Sequence, residues 1–120
     1  MAHVLALVDD LFFQAKINET ARQLGVDLRT CTTAEVIASE AAKEMPRLIV
    51  MDLNARNDPI EAIERVRTGA ADVPIVAFLS HVQTELAGRA RAAGCRTVLP
   101  RSQFTRDLAT ILGQAKSESS

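Results

Sequence analysis

A chain of 120 residues fits one compact domain and leaves little room for a second. Nearly half of it, 48%, is apolar, enough for a core without disulfide or metal staples. With 14 basic against 15 acidic residues, the net charge of −1 argues against the clustered basic excess that bulk nucleic-acid binding needs. No run of about 18 apolar residues is present, so no membrane span is expected. The first residues lack a charged stretch followed by a long apolar core, so a secretory leader is not expected and the location is read as cytoplasmic. Cys31 and Cys95 match no metal-ligand spacing and are read as reduced, strand-associated residues.

Val4 to Val8 is a continuous apolar run, the pattern of a strand buried on both faces. It ends in two carboxylates, Asp9 and Asp10. Phe13, Ile17, Ala21 and Leu24 then recur at near-helical spacing, which predicts a helix over 11–24 closed by Gly25. One of Phe12 and Phe13 is expected in the core; the other, if exposed, would suit a docking surface. Val26 to Cys31 alternates apolar and polar residues, as a strand nearer an edge does. Thr32 or Thr33 is positioned to cap a second helix through about Lys43, with Val36, Ile37 and Ala41 as its apolar face. Pro46 bars further helix and leads into Leu48-Ile49-Val50-Met51-Asp52-Leu53.

Here an apolar run meets a lone carboxylate, Asp52, with a loop over 54–57 beyond it. Asp58-Pro59-Ile60-Glu61 reads as a helix start. Asp58 is the expected side-chain cap, Pro59 the first helical residue, and Glu61 the reciprocal partner of a capping box. Gly69 ends that helix, and Ile75 to Leu79 is a fourth strand with Ser80 at its end. Leu86, Ala90 and Ala93 line one side of a fourth helix that Gly94 stops. Cys95 to Leu99 is a fifth strand ending at Pro100 and Arg101. Phe104, Leu108, Ile111, Leu112 and Ala115 then describe one amphipathic helix.

Five strands alternating with five helices through short connections imply an α/β fold with a doubly wound parallel sheet. The carboxyl ends of its strands then lie along one edge, where such folds bind ligands. That edge receives Asp9, Asp10, Asp52, Ser80 and Arg101. Three neighbouring carboxylates need a cation to neutralise them, and oxygen-only ligands suit Mg²⁺. A hydroxyl and a guanidinium opposite them suit a phosphoryl group. The reading that follows is metal-assisted phosphoryl transfer onto Asp52 as nucleophile. The less specific readings stand beside it: Asp52 as a loop cap, Asp9 and Asp10 as solvated loop residues, Ser80 as a turn residue, Arg101 as a surface charge. His81, after Ser80, is by default an exposed loop histidine, with gating of the site as the sharper alternative.

The acidic pair after the first strand, Asp52 after the third, Ser80 after the fourth and Gly94 before the fifth make this chain resemble the receiver domain of two-component response regulators. The resemblance covers essentially the whole chain, with residues 1–116 as the domain and 117–120 as a flexible tail. It implies a (βα)5 flavodoxin-like receiver fold with strand order 2-1-3-4-5. It also implies Mg²⁺ held by Asp9, Asp10, Asp52 and the backbone carbonyl of Asn54, with Ser80 and Arg101 contacting the phosphoryl group on Asp52. The implied donor is a histidine kinase or phosphotransfer protein, and any enzymatic activity is limited to self-catalysed phosphoryl transfer and its hydrolysis. Output would run through a downstream protein partner, or the chain would be a piece of a larger regulator. The face of the fourth helix, fifth strand and fifth helix is the implied partner or homodimer surface; no direct nucleic-acid or membrane contact is implied.

Three departures stand out. Arg101 replaces the lysine usual in receivers, the loop after Asp52 has Arg56 and Ile60 where Pro and Gly are usual, and Val98 replaces the switching aromatic. They motivate the alternative of a degenerate receiver that binds partners without phosphorylation. A dinucleotide binder is disfavoured, because Val8-Asp9-Asp10-Leu11 has no glycine. A flavodoxin-like phosphate loop and a small cysteine phosphatase are disfavoured as well. Leu11-Phe12-Phe13 is not rich in Ser, Thr and Gly, and neither Cys lies in the first loop.

Overall fold

The computed structural model describes residues 3–56, 58–70, 72–80 and 83–117. His81 and residues 118–120 of the expected 117–120 tail lie outside the described residues, while Ser117 is the last residue of the final helix. The elements run β1 (Val4–Leu7), α1 (Leu11–Leu24), β2 (Leu28–Cys31), α2 (Ala34–Glu44), β3 (Leu48–Asp52), α3 (Pro59–Gly69), β4 (Ile75–Leu79), α4 (Thr84–Ala93), β5 (Thr97–Pro100), α5 (Arg101–Arg106) and α6 (Leu108–Ser117). The five strands form one parallel sheet in the order β2-β1-β3-β4-β5, as the resemblance implied.

Strand alternation divides the core into two layers. Leu5, Leu7, Ile49, Met51, Ile75, Ala77 and Leu79 face α2, α3 and α4, where they meet Ile37, Ala41, Ile63, Val66 and Ala90. Val4, Ala6, Leu48, Val50 and Phe78 face α1, α5 and α6, where they meet Phe13, Ile17, Phe104, Leu108 and Leu112. Both faces of the central strands are covered, so β1 and β3 read as unbroken apolar runs instead of alternating ones. The same alternation puts Asp52 on the face of Leu48 and Val50, the side from which α1 and α5 begin.

Element ends follow local chemistry. Asp10 accepts hydrogen bonds from the Phe12 and Phe13 amides and so caps α1. Gly25 closes α1 in the left-handed region, at φ 74°. The Thr33 hydroxyl accepts from the Val36 amide and starts α2. β2 begins only at Leu28, because Val26 N–H closes α1 on the Ala21 carbonyl. For the same reason β5 begins at Thr97 and not at Cys95, whose N–H closes α4 on the Ala90 carbonyl. The cysteines are free and buried, and burial pushes the Cys31 thiol up to about 11.

Three expectations are corrected. Val36 is exposed: Ala34, Ile37 and Ala41 form the buried stripe of α2, and Val36 lies a third of a turn away. The single final helix is two, broken at Asp107, although Phe104, Leu108, Ile111, Leu112 and Ala115 are all buried on one side. Asp is a poor interior helix residue, and the buried stripe bridges the break. Asp58 does not cap α3 through its side chain. Its backbone is left-handed, at φ 51°, which turns the carboxylate away from the first amides, and Glu61 pairs with Arg65 at 2.8 Å.

These two caps separate on substitution. Thr33→Ala is expected to cost about 1 kcal/mol, since it removes a formed cap. Asp58→Gly is expected to cost nothing, because glycine relieves a left-handed backbone that costs a side-chain-bearing residue about 1 kcal/mol. Urea unfolding midpoints of the two variants check both expectations, and a clear loss for Asp58→Gly would reinstate the side-chain cap.

Candidate functional site

The loops after β1 and β3 and the start of α5 meet at the carboxyl edge of the sheet. Asp9, Asp10, Asp52, Asn54, Arg56 and Arg101 line one open cleft there. Asp52 lies at its floor, 2% exposed, and among the described residues it is the only buried charged or polar residue.

Each carboxylate is held by donors from the chain. Asp52 Oδ1 accepts from the Asn54 amide at 2.9 Å, and Oδ2 lies 3.5 Å from Arg101 Nη2. Asp10 Oδ1 accepts from the Phe12 and Phe13 amides at 3.0 and 3.2 Å, and Oδ2 lies 3.5 Å from Arg101 Nη1. Asp9 Oδ2 accepts from the Arg56 amide at 3.0 Å. The Arg101 fork thus spans two carboxylates, one nitrogen to each, a geometry that a guanidinium offers and a compact ammonium does not.

Arg101 occupies this position because of what lies behind it. Its guanidinium carbon is 4.7 Å from the Phe13 ring centroid and 5.6 Å from that of Phe78. Phe78 stacks on Phe104 at 4.4 Å and meets Phe13 edge-on at 5.0 Å. Phe78 is also the register partner of Asp52 in the sheet. The aromatic cluster therefore supports the guanidinium directly behind the buried carboxylate.

Burial raises the Asp52 pKa. The Asn54 amide and Arg101 pull it back, and the charges of Asp9 and Asp10 push it further up. The Asp10 pKa is lowered, chiefly by the Phe13 amide.

Ser80 is engaged within the chain. Its N–H and Oγ–H donate to Asn54 Oδ1 at 2.6 and 2.8 Å, while Asn54 Nδ2 donates to Gln83 Oε1 at 2.9 Å. The Asn54 side chain thus ties the loops after β3 and β4 together. Gln83 and the aromatic support of Arg101 were not anticipated, and no sequence signal marks Gln83. Arg56 was visible only as a departure in the loop. Its charge, four residues beyond Asp52 and near an acidic pair, was the available clue.

All-oxygen donors of this kind fit a hard cation such as Mg²⁺ in their chemistry. Among the described residues, however, no three Asp, Glu, His or Cys side chains converge closely enough to hold an ion. Asp10 and Asp52 turn both oxygens onto the amides and the guanidinium described above, and Asp9 turns its Oδ2 onto the Arg56 amide.

No family model matches the chain, and no curated protein matches it. Solved structures do match. A response regulator from Hahella chejuensis superposes with a TM-score of 0.82 at 19% identity, over 96% of this chain and 95% of that one. A chemotaxis response regulator of Vibrio cholerae gives 0.80 at 21% identity, over 96% and 98%. A phosphorylated cyanobacterial phytochrome response regulator gives 0.77 at 15% identity, over 98% and 95%. At these identities the likeness is one of fold, extending over nearly the whole chain. No described helix is long and apolar enough to cross a membrane.

The raised Asp52 pKa has a consequence for stability. Between the ordinary carboxylate range and the raised value, the folded chain keeps a proton that the unfolded chain has lost. Ionising Asp52 therefore costs stability, and the cost is complete above the raised pKa. Asp52→Asn, which cannot ionise, is expected to melt at a higher temperature than the wild type at pH 7. The difference should shrink as the pH falls through that raised value into the ordinary carboxylate range, below which both states hold the proton. Thermal melts of both proteins across that range check it. Asp10 has the opposite sign, its contribution fading as the pH falls through its lowered pKa.

Proposed function

We propose that this chain, which has the fold of response-regulator receiver domains, serves in signal transduction by accepting a phosphoryl group on Asp52. The observation that carries the reading is a buried carboxylate at the floor of an open cleft, with a guanidinium aimed at its outer oxygen. Burial raises the energy of the ionised carboxylate, which strengthens it as a nucleophile.

The donor is a phosphohistidine on a kinase or phosphotransfer protein. An Asp52 oxygen forms the O–P bond as the N–P bond breaks, and the imidazole nitrogen keeps the bonding pair and leaves. Arg101 turns from the carboxylates toward the new phosphoryl oxygens, and the Ser80 hydroxyl leaves Asn54 to donate to one of them. Asp9, Asp10, Asp52 and the Asn54 carbonyl would hold Mg²⁺, which supplies charge neutralisation at the phosphoryl oxygens when bound. Leu11 and Phe12, 76% and 91% exposed beside the acidic pair, offer apolar surface to the donor protein. A groove between α4 and β5, lined by Leu79, Ala87, Val98 and Leu99, gives the face through α5 its apolar part. That face is the surface for a downstream partner or a second copy.

A second reading is a receiver fold that binds partners without phosphorylation. It is favoured by the internal pairing of the same groups, with Ser80 tied twice to Asn54 and Arg101 spanning Asp10 and Asp52. The two readings part in one trial. Wild type incubated with Mg²⁺ and a small acyl-phosphate donor is expected to gain the mass of one phosphoryl group, and Asp52→Asn to gain none. No gain by the wild type would favour the second reading.

A further inference from the structure

We infer that Arg101 is a built-in counter-cation occupying the carboxylate oxygens a divalent cation needs, so that cation binding requires the guanidinium to withdraw. The inference rests on the cation site of the proposed function and concerns what controls it.

The inner oxygens of Asp10 and Asp52 are already committed to backbone amides. Those bonds belong to the α1 cap and to the turn after β3, so releasing them would disturb the fold. On these two residues the outer oxygens, Asp10 Oδ2 and Asp52 Oδ2, are the ones a cation could take without that disturbance, while Asp9 holds only its Oδ2 on the Arg56 amide. Each lies 3.5 Å from its own Arg101 nitrogen. A cation of the Mg²⁺ type sits about 2.1 Å from its oxygens, so it competes with the guanidinium for the same two oxygens, and their charges repel at that range.

Two further features describe this latch. Phe13 and Phe78 support the guanidinium from behind, which favours the engaged position. Arg101 Nε is buried with no hydrogen-bond partner, which disfavours it. The arm is thus held by packing and by two long ion pairs, and withdrawal would return its orphan donor to water. An arriving phosphoryl group offers the same fork better acceptors, so anion binding would free the outer oxygens for the cation.

The test is Mg²⁺ titration followed by the amide signals of Phe12, Phe13 and Asn54, with no phosphoryl donor present. Arg101→Gln is expected to half-saturate at a Mg²⁺ concentration at least about tenfold lower than the wild type. Arg101→Lys, which keeps the charge without the fork, should tighten binding by a smaller factor. Arg56→Gln removes one positive charge from the same cleft but none from the two outer oxygens, and should stay within about twofold of the wild type. Equal tightening by Arg101→Gln and Arg56→Gln would reduce the effect to net charge and overturn the latch. So would an Arg101→Gln affinity no higher than that of the wild type, or no Mg²⁺ response in any of the four proteins. Should Arg101→Gln fail to fold, Arg101→Lys decides: no tightening over the wild type overturns the latch. The readout involves no phosphoryl transfer. A wild type that gains a phosphoryl group while the variants bind alike sinks the latch alone. Tightened binding with no phosphoryl gain sinks the proposed function alone.

Discussion

The site depends on how one buried charge is compensated. Asp52 ends the central strand of a sheet covered on both sides, so its carboxylate is taken from water by the packing that forms the core. Such a charge persists only with fixed partners. The Asn54 amide supplies one from the adjoining turn. Arg101 supplies the other from across the sheet.

That long-range partner ties the aromatic core to the cleft. Phe13 from α1, Phe78 from β4 and Phe104 from α5 meet on one face of the sheet, and the Arg101 guanidinium lies against two of them. Packing on that face and electrostatics at the edge are therefore a single arrangement. Moving Arg101 removes a cation from two carboxylates and uncovers ring surface together. A chain with few aromatic residues has placed three of its four phenylalanines there. Phe12 alone faces solvent.

Much of this was legible from residue order. Continuous apolar runs marked β1 and β3, since strands covered on both sides have no polar face to alternate with. Gly25, Thr33 and Gly94 marked helix ends, because capping depends on residues within one turn. Asp58 misled: its capping pattern was right in residue type, but the left-handed backbone turned the side chain away. Val36 misled because several apolar residues in α2 compete for one buried stripe, and only the sheet and the neighbouring α3 decide which of them face it. Strand starts at Leu28 and Thr97 were hidden because the preceding residues still serve the helix C-termini.

By itself the sequence determined which residues arrive at the carboxyl edge, because alternating strands and helices with short connections put every strand end on the same side. Only the tertiary structure decided how those residues pair. Asp10 and Arg101 are 91 positions apart, and Ser80 and Asn54 are 26 apart. No local periodicity records such distances; they follow from sheet order, from strand register and from the rings that support the guanidinium. Strand ends told which groups meet, and packing turned Arg101 onto the carboxylates and Ser80 onto Asn54.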